Sequence, residues 1–378
     1  MRIHVYNAWH GEDELKALIL AGGFGTRLRP LSCTRPKLLF PIGNKPLLDW
    51  TLQRLEKSGI KEVILAVNYM AEAFIQRYGN SAHGVKLTYS RETKPMRTGG
   101  PIKQAEKLIG RDEPFLVLNG DIFTNINFVE LIKKHKKTNA TVSIALYKVE
   151  DPSRYGVVEL TERGCIVRFV EKPSPGREPS NLANAGIYVL GPEIFDYIPS
   201  GRPVSLEREV FPILAQEGKL YGYDFEGFWT DIGEPKDYLK ANRLLLSMGL
   251  IKGHAEKEVD VGSEAEIEEP VVIGKDVVIG EKSKIGPYAT IADHVTLGKG
   301  VRIEDSIIFP GTAISDFTSV KGAIIGENAT LGKWVKIESG CLVGDYAVIQ
   351  DNVTLTQDVI ICPSKEVSES VLTPKCLL

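Results

Sequence analysis

Three glycines and three cations crowd one short stretch of this sequence. Gly22, Gly23 and Gly25 follow an apolar, strand-like run from Ala17 to Leu20, and Arg27, Arg29 and Lys37 come after them. Glycine reaches positive φ and lets the backbone approach a ligand closely. Its N–H groups can then line an anion-binding concavity, while arginine and lysine neutralise phosphate charge. The residues therefore point to a phosphate-rich ligand at the end of the first strand. The stretch lacks the G-x-x-x-x-G-K-[ST] order of a Walker A loop. Gly23-Phe24-Gly25 opens a dinucleotide-type fingerprint, but Leu28 stands where the third glycine belongs. A glycine-rich turn with solvated basic residues is the plainer alternative.

Carboxylates follow further along. Asp121 ends an apolar run, Phe115 to Leu118, after Asn119-Gly120, and Asp231 follows Phe228-Trp229 just before Gly233. Capping a loop is the ordinary role for either. Glu171 and Lys172 are adjacent, and a buried, neutralised pair is their ordinary reading.

The longer string A-G-G-x-G-T-R-L-x-P-L, followed by Arg35-Pro36-Lys37, resembles the signature of the sugar-1-phosphate nucleotidyltransferases. The resemblance continues through Asn44-Lys45-Pro46, Asn119-Gly120-Asp121, Phe169-Val170-Glu171-Lys172-Pro173, Asn184-Ala185-Gly186-Ile187-Tyr188 and Phe228-Trp229-Thr230-Asp231-Ile232-Gly233. It covers roughly residues 16 to 249.

That resemblance implies attack of a sugar-1-phosphate oxygen on the α-phosphorus of a nucleoside triphosphate, with pyrophosphate leaving. Such a step needs charge neutralisation and in-line alignment more than acid–base chemistry. It implies that Arg27 contacts the triphosphate and that Lys37 offsets charge developing at the α-phosphate or pyrophosphate. Leu20, Ala21, Gly22, Gly23, Gly25 and Thr26 would border the nucleotide, and Thr98, Gly99 and Gly120 would complete its surroundings. Asp121 and Asp231, 110 positions apart, would hold Mg²⁺, an ion usually bound by carboxylates, substrate phosphates and waters. Glu171 would accept hydrogen bonds from sugar hydroxyls, Lys172 would pair with the sugar phosphate, and Asn184 and Gly156 would hold the sugar.

The chain departs from the family pattern at two places. Arg97 replaces a glycine in Met96-Arg97-Thr98-Gly99-Gly100, beside the nucleotide pocket that the resemblance implies, where it could shift preference or point outward. Leu38 replaces a proline after Lys37, which reads as packing. Several strings look most like the branch that uses GTP and mannose-1-phosphate, among them Lys148 to Val158 and Leu206 to Pro212. Branches that use glucose-1-phosphate with ATP, UTP or dTTP share the core motifs.

The elements that must position these residues are of two kinds. Up to about residue 150, short β-branched runs (Ala17–Leu20, Val63–Val67, Phe115–Leu118 and Val142–Leu146) alternate with helical stretches such as Leu47 to Lys57, capped by Gly59, and Phe128 to Lys137. This alternation implies parallel strands with crossover helices, and ligands in such sheets bind beyond the carboxyl ends of strands. Tyr155 to Lys172 reads as a hairpin turning near Glu162–Gly164.

A polar, acidic stretch at 251–269 reads as a linker. Beyond it Ile273, Ile279, Ile285, Ile291, Leu297, Ile303 and Phe309 are six residues apart, and Ile325, Leu331, Ile337, Val343, Ile349, Leu355 and Ile361 resume the step. A period of six is the hexapeptide repeat of a left-handed parallel β-helix. About fourteen hexads give four to five coils, and a loop is expected to leave the coil between Gly311 and Gly322.

The fold class is therefore α/β: a Rossmann-like, mostly parallel sheet forming a nucleotidyltransferase domain, followed by a left-handed parallel β-helix. The expected divisions are an N-terminal extension at 1–15, the transferase domain at 16–250, the linker, and the β-helix at 270–378. A coil of this kind has sheet edges at its ends that must be capped or paired, so a homo-oligomer through residues 260 to 378 is expected. The alternative for the coil is an acyltransferase with His294 as base, and for the whole chain a non-catalytic regulatory homologue. The net charge of −3 gives no reason to expect nucleic acid. No apolar run of 18 residues suggests a membrane span. The first fifteen residues lack a signal-peptide core. The five scattered cysteines (Cys33, Cys165, Cys341, Cys362 and Cys376) fit a reducing, cytoplasmic setting.

Overall fold

The computed structural model describes residues 15–249 and 259–377. Residues 1–14 of the expected extension and 251–258 of the expected linker lie outside them. The chain divides into two units. Among the described residues, one contains 15–23 and 48–231, and the other contains 24–47, 232–249 and 259–377. The divisions fall between Gly23 and Phe24, inside the glycine-rich stretch, between Leu47 and Leu48, and between Asp231 and Ile232.

The first unit is built on a ten-stranded mixed sheet. Lys16–Leu20 lies parallel between Glu62–Val67 and Phe115–Asn119, and Glu62–Val67 pairs parallel with Val85–Arg91. These runs are rich in β-branched and aliphatic residues, which fit a pleat covered on both faces, and Leu18, Ile19, Leu65 and Val117 are fully buried. The alternation then gives way to antiparallel pairing. Leu182–Leu190 runs against both Phe115–Asn119 and Val142–Lys148, and Gly156–Leu160 pairs with Ile166–Glu171 as the expected hairpin, with Gly164 at φ 79° in its turn. Val142–Lys148 has its parallel partner in Leu220–Asp224. The helices match their patterns: one spans Leu47–Lys57, with Leu48, Leu52 and Leu55 fully buried, and another spans Phe128–Lys136.

The second unit is dominated by a left-handed parallel β-helix with three faces of seven, six and seven strands. That makes six to seven coils, more than the four to five expected. Winding also starts early: Val259–Val261 and Glu266–Ile267 are already rungs, paired with Val277–Ile279 and Lys284–Ile285, inside the stretch that reads as linker. The interior is a column of Ile, Val and Leu at 0–5 % exposure, each contributing about 1.5–3 kcal/mol by burial.

The expected loop between Gly311 and Gly322 does not exist. Ala313–Ile314 and Ser319–Lys321 occupy that stretch as regular rungs. The register pairs Ile291 with Ile308, Leu297 with Ile314, Ile303 with Val320 and Ile308 with Ile325. The inward step is therefore five residues at 303→308 and again at 320→325. This slip takes Phe309 out of the interior column. It remains fully buried, but its ring faces Phe40 (6.4 Å between centroids) and the Arg35 guanidinium (4.9 Å) within the same unit.

Candidate active site

In the first unit the carboxyl ends of the parallel strands carry the expected residues. Gly120 donates its N–H to the Leu20 carbonyl (3.0 Å) and Ala21 donates to Ala66 (2.8 Å), so Leu20, Ala21 and Gly120, expected to border the nucleotide, share one sheet edge. A Cβ on Gly22 would stand 2.7 Å from Glu92 Oε1 and 3.3 Å from the Asn68 Cβ. Nothing larger than glycine fits there without moving Glu92.

The two aspartates are brought together by a short ladder. Trp229–Asp231 runs antiparallel to Ile122–Thr124, with Asp231 directly opposite Ile122, the neighbour of Asp121. The ladder is pinned from outside. Trp229 Nε1 donates to the Ala185 carbonyl (2.9 Å), the Thr124 hydroxyl donates to the Phe228 carbonyl (2.8 Å), and Asn125 Oδ1 accepts the Phe228 N–H (2.7 Å). The donor set that results is two carboxylates, Asp231 at the end of one strand and Asp121 in the turn that leads into its partner. Hard oxygen donors of this kind suit Mg²⁺, which takes one or two carboxylates and completes its shell with water and substrate phosphate. Among the described residues no cluster of three or more His, Cys, Asp or Glu forms a cage of protein ligands.

Of the residues expected on the sugar side, Gly156 and Glu171 are brought together. Gly156 is the register partner of Glu171, and a Cβ on Gly156 would stand 2.7 Å from the Phe169 ring and 2.8 Å from Glu171 Oε2. The Glu171 carboxyl is pushed above its usual range by burial and by Glu207, against the pull of Lys172 and Arg208. Lys172 holds a left-handed backbone, φ 48°. Asn184 sits at an irregularity in Leu182–Leu190, where its Oδ1 accepts the Gly186 N–H (2.9 Å) and its Nδ2 donates to the Tyr188 hydroxyl (3.0 Å). Gly186 has φ 70°, and a Cβ there would strike Asn119 Nδ2 at 2.6 Å.

Thr98 and Gly99 are engaged by the segment Leu206–Val210 and its approach. The Thr98 hydroxyl accepts the Leu206 N–H (2.9 Å) and donates to Glu207 Oε2 (2.7 Å), and Gly99 donates its N–H to the Val204 carbonyl (2.8 Å). Arg97 points outward, with a side chain 63 % exposed and 3.9 Å from Glu209, and it occupies φ 59°. The backbone there keeps the glycine-like conformation although the glycine is gone.

The second unit carries Gly25, Thr26, Arg27 and Lys37. Gly25 takes φ 59° and caps the 3₁₀ turn Thr26–Leu28, and its carbonyl accepts the Ser32 hydroxyl (2.8 Å). Arg27 lies against the Gly233 backbone, where a Cβ would meet Nη2 at 3.0 Å, and its Nη1 is 3.5 Å from Glu234 Oε1. Lys37 is 9 % exposed and opens the turn Lys37–Leu39. His294, the base an acyltransferase would need, is an exposed corner residue at φ 61° whose partner is Asp276 (3.3 Å).

Two residues were given no site role by sequence reasoning. Glu92 is 9 % exposed, held above the ordinary carboxyl range by burial while the Met96 N–H (3.1 Å) pulls the other way. Asn68 Nδ2 is buried with no hydrogen-bond partner among the described residues. Both directly follow parallel strands at the carboxyl edge, and that position was the available signal.

A mixed α/β sheet with a glycine-rich turn after its first strand, and a separate parallel β-helix, make up a two-part architecture. Residues 16–248 match the family described as nucleotidyl transferase, and residues 267–377 match the one described as GMPPB C-terminal domain. The chain belongs to the nucleotidyl transferase family. It is 41 % identical over 369 residues to a mannose-1-phosphate guanyltransferase of Yarrowia lipolytica, covering 96 % of this chain and 100 % of that one. It is 38 % identical over 378 residues to a probable mannose-1-phosphate guanylyltransferase 2 of Oryza sativa subsp. japonica, with the same coverage. A crystal structure of a putative glucose-1-phosphate thymidylyltransferase from Bacillus anthracis, in complex with a sucrose, superposes with a TM-score of 0.57 at 26 % identity, covering 61 % of this chain and 94 % of that one.

Proposed function

We propose that the chain transfers a guanylyl group from GTP to mannose-1-phosphate, yielding GDP-mannose and pyrophosphate. The observation that carries this reading is end-to-end similarity, coil included, to proteins named for that reaction. A phosphate oxygen of the sugar-1-phosphate bonds to the α-phosphorus, and the bond from that phosphorus to the β-phosphate oxygen breaks. Arg27 and Lys37 neutralise the triphosphate and the leaving pyrophosphate, with the loop from Leu20 to Thr26 and with Thr98, Gly99 and Gly120 around the nucleotide. Glu171, Asn184 and Gly156 orient the sugar, and Lys172 meets its phosphate. Asp121 and Asp231 would hold Mg²⁺, which when bound supplies positive charge to the phosphate oxygens.

In this reading residues 16–250 are the transferase domain, and the coil, whose first rung is Val259–Val261, is structural, in a cytoplasmic homo-oligomer. Light scattering on a chain cut after Met248 checks the assembly: an unchanged mass would exclude the coil as its interface. The thymidylyltransferase neighbour supports a second reading, glucose-1-phosphate as acceptor. A matrix of GTP, ATP, UTP and dTTP against mannose- and glucose-1-phosphate, read by pyrophosphate release, decides between them. Preference for any pair other than GTP with mannose-1-phosphate would overturn the substrate assignment.

A further inference from the structure

Four corner aspartates of the coil share one local job. Asp293, Asp316, Asp345 and Asp351 accept, through Oδ1, the backbone N–H of Lys275, Lys299, Glu327 and Lys333 in the neighbouring coil, at 2.8, 3.0, 2.7 and 2.7 Å. That bond uses one oxygen of each carboxylate. Asp345 differs in where its other oxygen goes. Its Oδ2 accepts the Thr34 hydroxyl (2.6 Å) and Arg35 Nη2 (2.6 Å), while the same Nη2 lies 2.5 Å from Glu327 Oε2. Asp345 is 1 % exposed, whereas Asp351 is exposed.

A buried carboxylate is costly unless paired and hydrogen-bonded. Asp351 shows that the coil closes such a corner with an aspartate left at the surface, so the buried ion pair at 345 answers to something outside the coil. That something is the stretch between the two functional cations: Thr34 and Arg35 stand between Arg27 and Lys37. The stretch has only three short 3₁₀ turns of its own. Its far end is also tied to the same unit. Asn44 Nδ2 donates to the Ile291 carbonyl (2.6 Å), and Gly43 donates its N–H to Asn242 Oδ1 (3.1 Å), which also accepts the Thr290 hydroxyl (3.0 Å).

We propose that Arg35, clamped by Asp345 and Glu327, is a positioning residue through which the β-helix sets the placement of Arg27 and Lys37. This rests on the nucleotidyl-transfer reading. Arg35 acts through its neighbours, and a guanidinium suits the task because it is always charged and its planar head keeps one nitrogen aimed between the two carboxylates.

Asp345→Asn keeps an oxygen for the Glu327 N–H and removes the charge. It should lower kcat/KM for the nucleoside triphosphate roughly tenfold to a hundredfold, as small misplacements of catalytic groups do, with the KM for sugar phosphate unmoved. Hydrogen exchange should quicken in residues 24–40 and not in the coil. Arg35→Lys should retain part of the activity that Arg35→Ala loses. Asp351→Asn, which has the same cap and no loop partner among the described residues, should change neither readout. Wild-type kinetics and exchange in Asp345→Asn would overturn the proposal. So would exchange rising through the whole coil, or equal losses in Asp351→Asn, because either outcome marks a merely structural residue. Exchange is measured without substrate. Failure of the wild type to transfer any nucleotide would therefore sink the reaction, while the exchange data would still judge the clamp.

Discussion

The expected carboxylates of the first unit and the expected cations of the second are held by two different kinds of support. Asp121 and Asp231 stand on a backbone ladder whose register places Asp231 beside the neighbour of Asp121, and Glu171 faces Gly156 across a hairpin. Arg27 and Lys37 sit on a stretch without a ladder, braced by side chains that reach the β-helix of their own unit. Backbone register is fixed by many small contributions and survives most single substitutions. A side-chain brace concentrates the same task in a few buried groups, so residues far along the chain become sensitive.

The largest expected effect tests the ladder side. Asp231→Asn changes one oxygen to an amide without altering shape and should reduce turnover by at least about a hundredfold, the scale seen when a charge-stabilising group is lost, with melting close to wild type. Unchanged turnover would remove the metal assignment from Asp231. The next test separates the two supports. Ile308→Ala and Phe309→Ala both empty a fully buried site and should each cost about 3–4 kcal/mol in denaturant unfolding. Ile308 belongs to the interior column, whereas Phe309 packs on Arg35 and Phe40. Phe309→Ala should therefore also reduce turnover, and Ile308→Ala should not. Equal turnover in the two variants would erase the distinction between column and brace.

These two adjacent residues also show where sequence reading stops. The period of six is legible because aliphatic residues recur and no helix has that step. The phase is not legible at Ile307-Ile308-Phe309, three apolar residues in a row, any of which fills an inward slot on composition alone. The five-residue step therefore reads as a loop. The site shows the same limit. Gly22, Gly156 and Gly186 are legible because only glycine fits against Glu92, Glu171 and Asn119. The meeting of Asp121 and Asp231 follows from antiparallel register, which spacing does not encode. Glu92 carries no motif, only its place after a strand, and Asn68, though it lies in a family-like string, Val67-Asn68-Tyr69-Met70, has nothing in that string to give it a role.

Within the ladder unit, charge can be used to sharpen the picture further. The Glu171 carboxyl is raised from its ordinary 4.5, first by burial and then by Glu207. A carboxyl raised in the folded state binds more protons folded than unfolded between those two values. Folding is thus weakened as pH climbs from about 4.5 through the folded value, and nothing is lost below it. Glu171→Gln should flatten that part of the melting-temperature profile and raise its neutral limb, while weakening sugar-phosphate binding. An unaltered profile would show that burial of Glu171 carries no stability cost.

The smallest effect concerns Arg97, where the ladder unit retains a glycine conformation under a different side chain. A non-glycine residue in the left-handed region costs about 1 kcal/mol, and its weak, exposed approach to Glu209 returns little. Arg97→Gly should therefore stabilise the chain by somewhat less than that, since glycine also loosens the unfolded state, and melting should rise by about 2 °C. Because the side chain points to solvent, kcat and the preference among triphosphates should stay at wild type. A changed preference would mean that the loop turns Arg97 inward when substrate binds, and a ladder-held site would then have one mobile member.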